Sequence, residues 1–152
     1  MTISTHRPAG LMFFLLVLAL AMISPSSQVI KGSPLQEWHV RIVNKMSRGH
    51  RLFIHCKSKD DDLGKHDIRV GAEFSWGFKT NYWGTTLFWC YMRKDIYKAH
   101  ASFNVFWSSY DDWLSYRCDS SDCIWTAKND GIYLRNVPQK RDELVHKWQP
   151  GQ

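Results

Sequence analysis

Beyond residue 23 the chain has no long apolar run. A helix crossing the hydrocarbon core needs about 20 apolar residues, so no membrane-spanning segment is expected in the later part. There is no Cys-x-x-Cys pair, no His-x-His and no His-Glu-x-x-His string, so the spacings that betray zinc and hydrolytic metal sites are missing. The HGLW and KHGTC strings of secreted acid-type ribonucleases are absent too. Their nearest counterpart, Ile54-His55-Cys56-Lys57, lacks the following Gly and Trp. Asn44, Asn81, Asn104, Asn129 and Asn136 all lack a Ser or Thr two positions on, so N-glycosylation is not expected. No internal repeat or low-complexity block is present.

What the chain does have begins at its start. Met1–Gly10 holds one basic residue, Arg7, and no acid. The apolar run Leu11–Ile23 follows, and then Ser24-Pro25-Ser26-Ser27. A basic n-region, a short apolar stretch and small residues beyond it read as a secretory signal peptide, with cleavage after Ser26 or Ser27. The expected domains are therefore a leader, 1–26, and one mature domain, 27–152, which is long enough to build a core of its own.

All four cysteines, Cys56, Cys90, Cys118 and Cys123, lie in the mature part. An even number in an oxidising compartment implies two disulfides, and four cysteines allow three pairings. The formal net charge is +6. For an exported protein that balance suits acidic partners such as wall polyanions, an anionic membrane surface or an acidic receptor face, although it also simply favours solubility. Nucleic acid is not an expected partner once the chain leaves the cell.

From residue 38 onward the dominant signal is alternation with a period of two, broken by turn residues. Val40 and Ile42 share a face, as do Leu52, Ile54 and Cys56, and Phe74, Trp76 and Phe78. Phe88, Cys90 and Met92 oppose Leu87, Trp89 and Tyr91, and Ala101, Phe103, Val105 and Trp107 oppose Ser102, Asn104 and Phe106. Cys123, Trp125 and Ala127 form a further stripe. Aromatic and β-branched residues in such runs are what half-buried strands require. Ser47-Arg48-Gly49 marks a turn, and Asn129-Asp130-Gly131 marks a hairpin in which Gly131 supplies the positive φ of a tight turn. The expected fold is all-β, a small antiparallel β-sandwich of about seven strands with two disulfides and a short C-terminal segment. Lys57–Asp67 reads as a long charged loop, and Leu144, Val145 and Trp148 suit one or two helical turns in Arg141–Trp148.

No combination of residues outlines an active site. Alternation puts His55 and Cys56 on opposite faces, and Cys56 is expected to be oxidised. Asp60, Asp61 and Asp62 are contiguous, whereas calcium loops alternate their carboxylates and close with a Glu, so they read as a solvated turn. No enzyme activity, cofactor or metal is expected. Most of the eight tryptophans sit in strands, whereas Trp83 and Trp113 fall in loops and are better placed to contact a partner.

Together, VRIVN (Val40–Asn44), LFIHCKSKDDDLG (Leu52–Gly64), FSWGFKTNYWGTTLFWC (Phe74–Cys90), ASFNVFW (Ala101–Trp107) and CIWTAKNDGIYL (Cys123–Leu134) resemble the plant self-incompatibility S-protein homologue family. The resemblance runs from about Val40 to Trp148. It implies a small secreted β-sandwich with two disulfides that works as a ligand. Members of this type in poppy-type stigmas are recognised by incompatible pollen, whose growth then stops, while most others have no settled role. The expectation is therefore a secreted, monomeric, non-enzymatic ligand of a cell-surface receptor. The alternative is a basic defence protein that binds wall or membrane. Loops on a rigid sandwich are free to contact a partner, which makes Asp60, Asp61, Asp62, Trp83, Asp111 and Asp112 the candidate contact residues. For the disulfides the working pairing is Cys56–Cys123 with Cys90–Cys118, a local Cys118–Cys123 bridge staying open.

Overall fold

The computed structural model describes residues 36–95, 99–108 and 112–151. The expected leader and Asp111 lie outside these residues. Ten strands and one short helix follow in order: β1 Glu37–Asn44, β2 Leu52–Ser58, β3 Asp62–Ile68, β4 Glu73–Lys79, β5 Leu87–Lys94, β6 Ala99–Trp107, α1 Trp113–Arg117, β7 Asp122–Ala127, β8 Gly131–Asn136, β9 Arg141–Lys147 and β10 Gln149–Pro150. They form two five-stranded sheets, ordered β4-β1-β7-β8-β9 and β10-β6-β5-β2-β3. The sandwich is as expected, with more strands than the seven foreseen. One pairing, β1 with β7, is parallel, because the chain crosses through α1 from β6 in one sheet to β7 in the other.

The inner faces follow the alternation. Val40 and Ile42 of β1, Ile54 of β2, Met92 of β5 and Leu134 of β8 are all fully buried. Aromatic rings bridge the sheets: Trp38 and Phe106 lie 5.0 Å apart, Phe78 and Phe106 4.7 Å, Phe78 and Phe88 4.5 Å, and Phe103 and Trp125 5.0 Å. Such contacts each add about 0.5–1.5 kcal/mol beyond the area they bury. His146 of β9 stacks on Phe103, and burial pushes its pKa down.

Strict alternation misassigns Phe106. A bulge opposite Phe88 and Trp89 shifts the β5–β6 register, so Val105 and Phe106 both point inward. The bulge also leaves the Val105 carbonyl free to accept a hydrogen bond of 2.9 Å from Trp125 Nε1. This bond ties the two sheets together and satisfies an indole N–H that would otherwise be buried without a partner.

Two segments differ from the expected loop and helix. Lys57–Asp67 is a hairpin, with a short turn at 59–61 leading into edge strand β3. Its charges suit an edge exposed to water, where they discourage pairing with another chain. Arg141–Lys147 is a strand paired with β8, and a second bulge brings His146 opposite Ile132. Its apolar residues are too few to distinguish a helical face from a bulged strand. Gly131 is also needed for a reason other than the expected one. It is the first residue of β8 and does not adopt a positive φ. A Cβ there would stand 2.5 Å from the His146 carbonyl oxygen, so glycine is required by the close approach of β9.

The disulfides are Cys56–Cys90 and Cys118–Cys123, which overturns the working pairing. Cys56 and Cys90 sit directly opposite each other on β2 and β5, with Cα atoms 4.1 Å apart. Cys123 lies in the other sheet, where the end of α1 brings Cys118 to a Cα distance of 4.5 Å. Strand adjacency decides the pairing, and linear spacing does not encode it. Peptide mapping without reduction should recover both bridges. Removing Cys56–Cys90 by double alanine substitution should cost about 3–4 kcal/mol and removing Cys118–Cys123 about 2 kcal/mol, following the lengths of the loops they close.

Asn44 is one of the buried polar residues, with Thr126 and Asn136. Its Nδ2 donates to the Ile68 carbonyl at 2.9 Å and its Oδ1 accepts from the Met46 N–H at 3.0 Å. Asn44→Leu leaves both backbone groups buried and unpaired, and should lower the urea-unfolding free energy by about 2–4 kcal/mol.

Candidate functional site

Strand register brings the predicted contact loops to one end of the sandwich. Ser58 pairs with Phe88, Leu87 with Trp107, Glu37 with Lys79 and His39 with Asp122. The turn at 59–61, the β4–β5 loop, the start of α1 and the turn after β8 therefore share that end. Trp83 is 80% exposed and Tyr82 73%, the two rings meeting edge to face at 5.5 Å. Asn81 braces the loop beneath them. Its N–H donates to Thr86 Oγ1, its Nδ2 to Thr85 Oγ1, and its Oδ1 accepts from the Thr85 N–H, all at 2.8–2.9 Å. Gly84, at φ 65°, turns the chain back toward β5. Large apolar rings are thus held in water on a braced loop, an arrangement that favours contact with a partner because little ordering remains to be done on binding.

The three adjacent aspartates have different roles. Asp62 accepts from the Gly64 N–H at 2.9 Å, lies 2.8 Å from His55 Nε2 and pairs with Lys57 at 3.0 Å. Those bonds, the Gly64 N–H foremost, hold its carboxyl far below the usual carboxylate range. Asp61 closes the turn with Ser58, through a backbone bond of 2.8 Å and a hydroxyl contact of 3.3 Å. The Asp60 carboxylate is exposed and has no partner among the described residues. Asp62 is therefore committed to the hairpin, while Asp60 faces outward. Asp112 is exposed at the start of α1, where its carboxylate makes no capping bond to the backbone.

Chemically, the site offers surfaces for contact. The four cysteines are all bridged, so Cys56 carries no thiol beside His55. Among the described residues no group of three or more His, Cys, Asp or Glu is placed to hold a metal ion. No described helix is long and apolar enough to cross a membrane.

Residues 39–148 match the family described as plant self-incompatibility protein S1. The chain belongs to this family. It is 48% identical over 117 residues to S-protein homolog 1 of Arabidopsis thaliana, covering 77% of this chain and 75% of that protein. S-protein homolog 74 of the same plant is 47% identical over the same length and coverage. A solved structure of SPH (self-incompatibility protein homologue) proteins, described as a widespread family of small, highly stable, secreted proteins from plants, superposes with a TM-score of 0.56. That likeness, at 20% sequence identity and covering 76% of this chain and 96% of the other, supports the fold. Membership places the chain among small secreted plant proteins.

In this S1-family chain a second group of rings stands beside α1, and sequence reasoning caught only part of it. Trp113 stacks on Trp107 at 5.8 Å, and the Arg117 guanidinium covers it at 4.2 Å. Trp113 is thus more occupied by its own chain than its loop position suggests. Tyr116 and Leu87 are exposed at the same end. Tyr82 was visible in the sequence as the neighbour of Trp83, whereas Tyr116 becomes a surface residue only through the turn of α1.

Glu143 of β9 supports this region. Its Oε2 accepts from Arg117 Nε at 2.7 Å, and its Oε1 accepts from Asn136 Nδ2 at 3.0 Å and Arg141 Nη2 at 2.9 Å. The Asn136 bond first and the Arg117 bond second depress the Glu143 carboxyl to about 2. A depressed folded-state pKa adds stability that is complete above the unfolded value and lost as pH falls through the folded one. Glu143→Gln should therefore lower Tm at neutral pH. Its deficit relative to the parent should shrink as pH drops from about 4.5 toward about 2, a trend that thermal melts across that range would show.

Proposed function

We propose that the protein acts outside the cell as a non-enzymatic ligand, recognised by a cell-surface receptor through the loop end that carries Tyr82 and Trp83. On this reading residues 1–26 direct export and are removed, and 27–152 act as a monomer. On the same reading its role is pollen rejection or a related extracellular signalling. The observation that carries the proposal is the exposed Tyr82–Trp83 pair on a loop braced by Asn81. Exposed aromatics cost free energy in water and yield it back when a partner covers them, which is why Trp and Tyr dominate binding hot spots. The exposed Asp60 and Asp112 add charge at the same end and would steer a basic receptor face. Bridged cysteines and the engagement of His55 with Asp62 support a non-catalytic role.

The test is saturation binding of the labelled secreted protein to plasma membranes from the tissue that expresses its receptor. Tyr82→Ser with Trp83→Ser should weaken binding by about 30-fold or more, the size of a hot-spot loss. Unfolding free energy should move by no more than about 0.5 kcal/mol, since both side chains are exposed. Asp60→Ser should weaken binding less and leave Tm unchanged. A folded Tyr82/Trp83 variant that binds like the parent would remove this loop from the recognition surface.

A further inference from the structure

The opposite end of the sandwich has a different chemistry. Here the β1–β2 loop carries Lys45, Arg48 and Arg51, the β3–β4 turn carries Arg69, and β9 ends at Lys147. All five side chains belong to exposed residues, and none forms an ion pair among the described residues. The nearby carboxylates are already engaged. Asp95 lies 2.7 Å from His50 Nδ1, Asp130 accepts from the Tyr133 hydroxyl, and Glu73 pairs with Arg41. Asp67, on the outer face of β3, is the one carboxylate left near this end without a partner among the described residues.

The cations stand on a firm base. Asn44 fixes the start of the β1–β2 loop from within the core. Asn129 accepts from the Ser47 N–H at 3.0 Å, and the Asp95 N–H donates to the Arg51 carbonyl at 3.2 Å. Lys94 Nζ donates to the Asn129 carbonyl at 3.0 Å, joining one sheet to the other across this end. Both the loop and the β3–β4 turn pass from sheet to sheet, so their charges spread over a sandwich about 10 Å thick. At spacings beyond a screening length of about 8 Å such exposed charges act largely one by one. A compact ion would meet only one or two of them, whereas an extended chain of anions can meet them all.

We infer that this basic end binds a linear acidic polysaccharide, a polymer with a carboxylate on each repeating unit, of the kind a secreted plant protein meets outside the cell. Three of the five cations are arginines, whose planar guanidinium matches a carboxylate with two parallel hydrogen bonds. The aromatic side chains that would enter a lipid interface are at the far end. Among the described residues at the basic end, the exposed large apolar one is Val70. Two ends of opposite character would let the protein sit on matrix polymer while Tyr82 and Trp83 face away from it. The inference does not depend on receptor recognition by the loop end.

The test uses the secreted protein on immobilised polygalacturonate, with neutral dextran and phosphatidylserine vesicles as comparison surfaces. The parent should bind polygalacturonate at about 0.05 M salt and be released near 1 M, where the screening length falls to about 3 Å. Lys45→Ser, Arg48→Ser, Arg51→Ser and Arg69→Ser combined should weaken binding about tenfold or more, since exposed charge contacts are individually small. Arg48→Ser alone should weaken it measurably, which guards against misfolding of the combined variant. The Tyr82→Ser/Trp83→Ser protein should bind polygalacturonate like the parent. The inference is overturned by failure of the parent to bind, by binding that survives high salt or matches that to dextran, by a folded combined variant of unchanged affinity, or by preference for the vesicles.

Discussion

The aromatic seam between the two sheets is the constraint on which the rest of this molecule depends. Trp38, Phe78, Phe88, Phe103, Phe106 and Trp125 come from strands of both sheets, and their rings meet at centroid distances of 4.5–5.7 Å along with Trp76. Neither sheet could keep its inner face in water, so forming the seam and forming the fold are one event. The Trp125–Val105 bond adds direction to this packing, because it can be made only where the β6 bulge presents its carbonyl. The Cys56–Cys90 bridge lies inside the same layer, fully shielded from water, and joins two strands that are already paired.

A core organised in this way leaves the ends of the sandwich free to differ in chemistry. The strands spend their inner residues on the seam, and sheet-to-sheet connections must emerge at one end or the other. At one end these connections carry Tyr82, Trp83 and Asp112, and the β2–β3 turn adds Asp60; at the other they carry Lys45, Arg48, Arg51 and Arg69. Each end is braced by an asparagine whose side chain bonds to backbone or hydroxyl groups, Asn81 in the β4–β5 loop and Asn44 under the β1–β2 loop. Bracing of this sort lets exposed residues hold their positions without adding to the core.

Much of this architecture was legible in the residues. Alternation located the inner faces of β1, β2, β4 and β5 because a strand with one buried side imposes a period of two. It failed at Phe106 and in β9, both places where a bulge breaks the period. The charged hairpin looks like a loop in sequence because β3 is an edge strand, whose exposed residues carry little apolar signal. Gly131 reads as the positive-φ residue of a turn, whereas the need for glycine comes from the nearness of the His146 carbonyl in the next strand, β9.

The sequence by itself determined the family, the all-β class, the membership of Cys56 and Cys90 in the core, and the loop character of Trp83, since each follows from local pattern. Only the tertiary structure decided which cysteines pair, which of Asp60, Asp61 and Asp62 faces outward, and which loops share an end. Those outcomes depend on which strands are neighbours and in what register, and strand adjacency is set by the packing of the whole core. The division of the surface into an aromatic end and a basic end follows for the same reason. Residues distant in sequence acquire a common surface only when two sheets close on one another.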